Sequence, residues 1–291
     1  MRTIVIVGVL LVTGSFSSYA QYSFYNKPRF EKWIYAGGGH FFGDIGGKQT
    51  NGITIAGNEG FDLTNLGLAA GTGIRFNAKR WFAVRTGLGY SRFSQSDAGA
   101  FRRSQQLRNL SFQTDVFEAS AMAEFRVANF GIKTKKRKSF WEYYVFGGVG
   151  AFYYNPKAHY GDKLVALRPL TTEGQGLKPG TKKYSVVAGS FPVGGGLRLG
   201  TGFNSSFFVE VSYHITTTDY IDDVSGSYYS YNELLFRRGE VSADMSYRGD
   251  SEIYPQGRTR GNPYNKDSFV VFKLGYSTSL KSRKLTRFHG R

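Results

Sequence analysis

Apolar and polar side chains alternate with a period of two over long stretches of the chain, which is the pattern of β-strands with two unlike faces. We predict eight such strands. They cover residues 32–42, 65–77, 81–94, 111–130, 140–154, 185–203, 206–217 and 268–280. At Asn155 and Pro156 the alternation breaks, and a long polar segment follows.

The predicted strand 81–94 shows the two faces clearly. One face carries Val84, Leu88 and Tyr90, whereas the other carries Arg85 followed by Gly87 and Gly89. An Arg or Lys side chain that faces lipid at mid-membrane costs about 2–4 kcal/mol, so in a membrane barrel the charged face must point inward. An eight-stranded barrel has room inside for side chains and little else.

The connections between the predicted strands alternate in length without exception. Three are short, at 77–80, 131–139 and 203–206, and four are long, at 43–64, 95–110, 155–184 and 218–267. Brief periplasmic turns and extended external loops are typical of outer-membrane barrels. The sequence therefore predicts an all-β fold, a transmembrane eight-stranded antiparallel up-and-down β-barrel.

The ends of the chain have their own patterns. Residues 1–20 combine Arg2, a short apolar run and the small residues Ser18 and Ala20, which predicts a secretory signal peptide cleaved before Gln21. We assign 21–31 to a periplasmic N-terminal segment, 32–280 to the outer-membrane barrel and 281–291 to a basic periplasmic tail. We therefore expect the signal peptide to direct export and the barrel to insert in the outer membrane.

The amino-acid composition limits the classes of function that the chain could have. The 291 residues include 38 Gly, 25 Phe, 20 Tyr and no Cys, so disulfides, thiol catalysis and Cys-based metal sites are excluded. The net charge of +17 would suit nucleic-acid binding. The export signal and the clustering of basic residues at turns argue against it, so we expect no nucleic-acid partner.

The charges on the predicted inward faces nearly balance, which predicts an ion-pair network that plugs the lumen. A proton or solute path is the functional alternative. Glu142 is the weakest member, because the strand 140–154 is apolar on both faces. The other members are Arg75, Arg85, Glu118, Glu124, Arg126, Arg198, Glu210 and Lys273.

A basic rim is predicted at the periplasmic turns. Its members are Lys79, Arg80, Lys133, Lys135, Lys136, Arg137 and Lys138. Two interpretations stay open: contact with phosphate head groups of the inner leaflet, and docking of an acidic periplasmic partner. Arginines in the long loops are expected to meet the phosphates of lipopolysaccharide. They are Arg102, Arg103, Arg108, Arg237, Arg238, Arg258 and Arg260.

Signals for enzymatic chemistry are weak. No metal-ligand spacing, nucleophile elbow or phosphate loop occurs. A rim enzyme that depends on His159 or His214 is the hypothesis we rank last, and we expect no catalytic residue, metal or cofactor. Close carboxylates at Asp219, Asp222 and Asp223 would suit Ca²⁺, but Asp residues beside Ser and Gly more often fix turns.

Five segments carry a resemblance to a known family. They are 37–47, 108–112, 155–176, 218–229 (TDYIDDVSGSYY, with Asp219, Tyr220, Asp222 and Asp223) and 260–269. In this order they resemble landmarks of the PorG-like outer-membrane barrels of Bacteroidetes. The resemblance covers almost the whole predicted mature chain, and its motifs lie in loops and upper strand ends.

The resemblance implies a component of the type IX protein secretion system. It implies that the barrel anchors the periplasmic ring of that system, a lipoprotein with a partner subunit, to the outer membrane. The matching motifs do not include the basic turns, so the docking residues do not carry over. The alternative is a paralogue, a structural or adhesion barrel without a secretion role.

Overall fold

The computed structural model describes residues 30–46, 66–100, 102–133, 138–200, 205–249 and 255–280. The predicted signal peptide, most of the segment 21–31 and the basic tail lie outside the described residues. Nine strands are present in these ranges. They are β1 Phe30–Phe42, β2 Gly67–Asn77, β3 Phe82–Ser96, β4 Ser111–Lys133, β5 Lys138–Tyr160, β6 Lys163–Ala166, β7 Val187–Gly200, β8 Ser205–Thr216 and β9 Ser268–Ser279.

Eight of these strands close into a barrel. Each pairs antiparallel with its neighbour in the order β1-β2-β3-β4-β5-β7-β8-β9, and β9 pairs back to β1, with Trp33 opposite Ser277. Because every strand has a partner on both sides, the sheet has no open edge along the barrel wall. The predicted eight-stranded antiparallel up-and-down barrel is confirmed.

The prediction that the fifth strand ends at Asn155 and Pro156 is wrong. β5 continues through both residues to Tyr160 and remains paired with β4, where Pro156 lies opposite Thr114. On its other side, pairing with β7 ends at Tyr153 and pairing with β6 begins at Lys157. Pro156 lies in the gap between these ladders, a place where a missing backbone N–H does not interrupt pairing.

The outer surface of the barrel is an apolar belt. Val127, Leu274 and Leu88 are 69%, 66% and 65% exposed, and they all point away from the lumen. Aromatic side chains border the belt: Trp81 stacks with Phe125 near the short turns, and Tyr90 packs on Phe117 near the other end. An apolar band between two aromatic girdles is the surface that a bilayer requires.

Glycines on the inner face make room for large rings. A Cβ atom on Gly87 would lie 2.3 Å from the ring of Trp33, and a Cβ atom on Gly73 would meet the same ring at the same distance. The inner wall is therefore filled by a few large side chains that project from one strand over the bare backbone of another.

The long loops contain secondary structure that the sequence pattern did not predict. Besides β6 they form the helices α1 Arg103–Arg108, α2 Leu167–Leu170, α3 Tyr231–Arg238 and α4 Glu240–Ser246, and a 3₁₀ turn at Asp97–Gly99. Together with residues 43–46 and 255–267 they fold over the end of the barrel opposite the short turns. We call this assembly the external cap.

In the part of the chain that the structure describes, no helix combines the length and apolar character needed to cross a bilayer.

Candidate functional site

The structure brings the predicted lumen charges together in one network. Arg198 donates to Oε1 of Glu142 at 2.6 Å and to Oε1 of Glu124 at 2.9 Å. Arg75 donates from Nε to Oε2 of Glu124 at 3.0 Å, and Arg126 donates from Nε to Oε1 of Glu142 at 3.1 Å. Glu142 thus lies inside the barrel with two arginine partners, although its strand is apolar on both faces.

A second group of contacts crosses the lumen. Arg85 on β3 donates to Oε2 of Glu210 on β8 at 2.5 Å, and these two strands lie on opposite sides of the barrel. Lys273 donates to the other oxygen of Glu210 at 3.0 Å. The guanidinium of Arg85 also lies 4.1 Å from the ring centroid of Phe146. Both carboxylate oxygens of Glu210 are therefore bonded, so this buried charge has the partners that burial demands.

Sequence reasoning missed one member of the network, Glu31. Its Oε2 accepts from Arg75 at 3.0 Å, and its Oε1 accepts from Asn77 at 2.8 Å. Glu31 precedes the predicted start of the first strand, which is why the alternation pattern did not include it. With Glu31 added, the described lumen side chains include five Arg or Lys residues and five Glu residues, so the formal charges of these ten side chains balance.

His214 lies above the ion pairs in a chain of hydrogen bonds. Its Nδ1 is 3.1 Å from Oε1 of Glu118, and its Nε2 is 2.6 Å from Oγ of Ser212. The order of a serine, a histidine and a carboxylate resembles that of hydrolytic triads. Ser212 is fully buried, however, and the ring of Phe269 stacks on the imidazole at 4.4 Å. These contacts place His214 and Ser212 in the packed interior of the barrel.

An aromatic layer separates the lumen network from the cap. Phe41 packs on Phe112 with centroids 5.0 Å apart, and Phe269 packs on Phe93 at 5.1 Å and on Phe152 at 6.2 Å. All five rings are buried in one cluster. This layer, together with the ion pairs beneath it, fills the barrel along its axis.

The segments that carry the family resemblance meet in the external cap. Asp222 accepts from the backbone N–H groups of Asp44 and Ile45 at 3.0 and 3.1 Å, across more than 170 residues of sequence. Arg108 donates to the carbonyl oxygens of Asp44 and Arg260. These segments therefore hold the cap together.

Two cap arginines have partners other than lipopolysaccharide. Arg108 donates to Asp97 at 2.7 Å, and Arg260 donates to Glu173 at 3.1 Å. Both guanidinium groups are buried. The expectation that these two arginines meet phosphate groups at the surface is wrong, because their charges are used inside the cap.

Of the carboxylates in segment 218–229, Asp222 fixes a turn, and Asp223 bonds to a different loop. Asp222 accepts from the N–H of Val224 at 3.0 Å, and Asp223 accepts from the hydroxyl of Thr172 at 2.6 Å. Tyr220 stacks on Tyr184 with centroids 4.5 Å apart. Within the described ranges, no group of three acidic, His or Cys side chains is placed to hold a metal ion.

Burial changes the acidity of these carboxyl groups. It raises the pKa of Asp219 to about 7, and Asp44 adds to the effect. It also raises the pKa of Asp223 to about 6, against the opposing charge of Arg260. The pKa of Asp222 lies well above its ordinary value because the group is fully buried and because Asp44 is close. Burial therefore shifts these three carboxyl groups toward their protonated form.

The structure describes one turn of the predicted periplasmic rim. Lys79 and Arg80 are exposed between β2 and β3, and Arg126 reaches from the lumen to donate to their carbonyl oxygens at 3.0 and 2.9 Å. The other predicted members lie outside the described residues, or their side chains do. These are Lys133, Lys135, Lys136, Arg137 and Lys138. The one described turn presents two cations on a backbone that is fixed from inside.

Comparisons with known proteins give similarity to solved barrels. No family model matches the chain. No curated protein matches it either. Ail, the attachment invasion locus protein of Yersinia pestis, solved in complex with the heparin analogue sucrose octasulfate, is 11% identical over 87% of this chain and 99% of its own, with a TM-score of 0.37.

Two further structures are similar. Neisserial surface protein A is 8% identical over 86% of this chain and 97% of its own, with a TM-score of 0.37. The N-terminal β-barrel domain of Pseudomonas aeruginosa OprF is 10% identical over 87% of this chain and 99% of its own, with a TM-score of 0.33. At these low scores the comparison supports no functional assignment. The chain's own strand pairing and apolar belt make it a barrel of the outer-membrane type.

Proposed function

We propose that the chain is a non-enzymatic outer-membrane β-barrel that anchors the periplasmic ring complex of the type IX protein secretion system. The apolar belt supports insertion in the membrane, and the filled lumen argues against transport through the barrel. A barrel without a channel acts through its two ends. The ring-anchoring role itself rests on the resemblance of the cap segments to the PorG-like barrels.

The turn of Lys79 and Arg80 is the docking surface that we propose for the periplasmic partner. Both side chains are exposed, and Arg126 holds their backbone through two hydrogen bonds from the lumen. A pre-ordered cationic turn loses little conformational freedom when an acidic surface docks on it. Head groups of the inner leaflet compete for the same charges, and this competition defines the experiment.

Photo-crosslinking from Arg80→Cys tests the partner directly. The natural chain has no cysteine, so one photoreactive label can be attached at that position. Cells are irradiated and adducts identified by mass spectrometry, with Tyr264→Cys on the opposite end, 91% exposed, as the matched control. We expect adducts with a periplasmic lipoprotein from Arg80→Cys and none from Tyr264→Cys. Adducts with phospholipid alone would contradict docking at this turn.

Deletion of the gene tests the secretion role. The proposal expects loss of type IX cargo export, restored by the natural chain. Normal export in the deletion strain would contradict it.

The alternative is an adhesion or structural barrel, and the observation behind it is the folded external cap. On this alternative, we expect the deletion strain to show normal export with altered surface binding or envelope stability.

A further inference from the structure

The external cap contains a polar cavity that the anchoring role does not use. It lies between the C-terminal end of α4, the turn that joins β5 to β6, and the segment that leads into β4. Its volume is about 390 Å³. That volume is within the range of small-molecule sites, which is roughly 300–1,000 Å³.

The charged groups of the cavity wall are fixed by their own hydrogen bonds. Arg248 donates to Oγ of Ser111 at 2.6 Å and to the carbonyl oxygen of His159. Asp244 accepts from the hydroxyl of Tyr160 at 3.0 Å and from that of Tyr231 at 2.8 Å. Side chains held in this way present their remaining donors and acceptors in one arrangement, which lowers the entropic cost of binding.

The charge of the cavity wall and its lack of apolar surface exclude two classes of ligand. One carboxylate, Asp244, and one guanidinium, Arg248, line the cavity, so it has no net charge that would select a phosphate or sulfate ester. Apart from the aromatic rings, Met245 is the sole large apolar side chain among its described lining residues, so a fatty acyl chain would find little apolar surface.

The remaining chemistry matches a hydroxyl-rich ligand. Sugar hydroxyls both donate and accept hydrogen bonds. The wall offers the carboxylate of Asp244 as an acceptor, the guanidinium of Arg248 and the amide of Asn109 as donors, and the imidazole of His159. The rings of Tyr160 and Tyr247 also line the cavity, and the electron-rich face of an aromatic ring suits the C–H groups of a pyranose.

We propose that this cavity binds a neutral saccharide unit at the outer face of the cap. The sugar comes either from the glycan of the bacterium's own lipopolysaccharide or from a glycan outside the cell, because both present the same hydroxyl chemistry. The proposal requires the external position of the cap and does not depend on the secretion role.

Binding is measured by saturation-transfer NMR on the full mature chain in a detergent without a sugar head group. One probe is the oligosaccharide released by mild acid from the bacterium's lipopolysaccharide. The other is a mixture of galactose, mannose and N-acetylglucosamine. We expect saturable binding with a Kd on the order of 1 mM. Binding of the first probe assigns the sugar to the cell's own surface, and binding of the second alone assigns it to an outside glycan.

Variants of the wall separate this site from non-specific contact. His159→Trp fills the cavity and keeps the backbone carbonyl that Arg248 uses, and Asp244→Asn keeps the shape but loses the charged acceptor. Each is expected to weaken binding at least tenfold. Asp162→Asn, exposed in the same β5–β6 turn but outside the cavity wall, is expected to bind normally. Absence of binding to both probes, or equal binding by all variants, would overturn the proposal.

Discussion

Replacement of Arg198 by Met tests whether the lumen network stabilises the barrel. Arg198 is 1% exposed and bonds to Glu142 and Glu124. Its removal leaves two buried carboxylates with one strong partner fewer each. Breaking a buried pair by removing one member costs about 3–5 kcal/mol, because the remaining charge stays desolvated. We therefore expect Arg198→Met to lower the free energy of unfolding by about that amount.

The matched control is Arg92→Met. Arg92 makes a comparable contact with Asp115, at 2.7 Å, but its side chain is 50% exposed on the outside of the barrel. An exposed pair contributes about 0–1 kcal/mol. The two variants remove the same chemical group, so a difference between them measures the effect of burial.

The assay is reversible urea unfolding of the barrel in lipid vesicles, followed by the fluorescence of its three tryptophans. The midpoint and slope give the free energy of unfolding for each variant. A double variant, Arg198→Met with Glu142→Gln, is expected to recover part of the loss because it restores the balance of positive and negative charges in the lumen. If Arg198→Met costs no more than Arg92→Met, the reasoning about the buried network is refuted.

Three further predictions follow from the lumen and the cap. In planar bilayers the barrel is expected to give no large, stable conductance, since rings and ion pairs fill it; a steady open channel would contradict this. The pKa values of Asp219 and Asp223 in the folded cap are about 7 and about 6, above the ordinary carboxyl value. These two carboxyl groups therefore stabilise the fold fully below about pH 4, and the stabilisation declines as the pH rises to about 7. Hydrogen exchange of cap amides, corrected for intrinsic rates, is expected to show greater protection at pH 5 than at pH 8, and the reverse order would be inconsistent with protonated carboxyl groups. Gly87→Val is expected to destabilise the barrel by about 1–3 kcal/mol through collision with Trp33, and Trp33→Ala is expected to relieve it; simple additivity of the two losses would argue against the collision.

The barrel and most of its lumen network follow from local pattern. Alternation assigns Arg85 and Glu210 to faces, and the cost of a charge in lipid decides which face is inside. The sequence pattern missed Glu31 because this residue lies one position before the predicted start of the first strand. The prediction of a strand end at Pro156 was wrong because the sequence does not show that β5 has no strand partner on that side between Tyr153 and Lys157.

The cap is a different case. Its central contacts join Asp44 to Asp222 and Arg108 to Arg260, residues far apart in the chain with no periodic signal to connect them. The turn at Asp222 and Val224 was within reach of sequence reasoning, because an Asp side chain that bonds the N–H two residues later is a local motif. The long-range part depends on tertiary folding, and so does the cavity beside α4.

The bond between Arg85 and Glu210 has a mechanical consequence. It joins strands on opposite sides of the cylinder, so it acts as a cross-brace. Moving β3 away from β8 would break this buried pair and leave both charges desolvated, which is costly. The pair therefore couples opposite walls of the barrel and resists any deformation that widens the lumen between them.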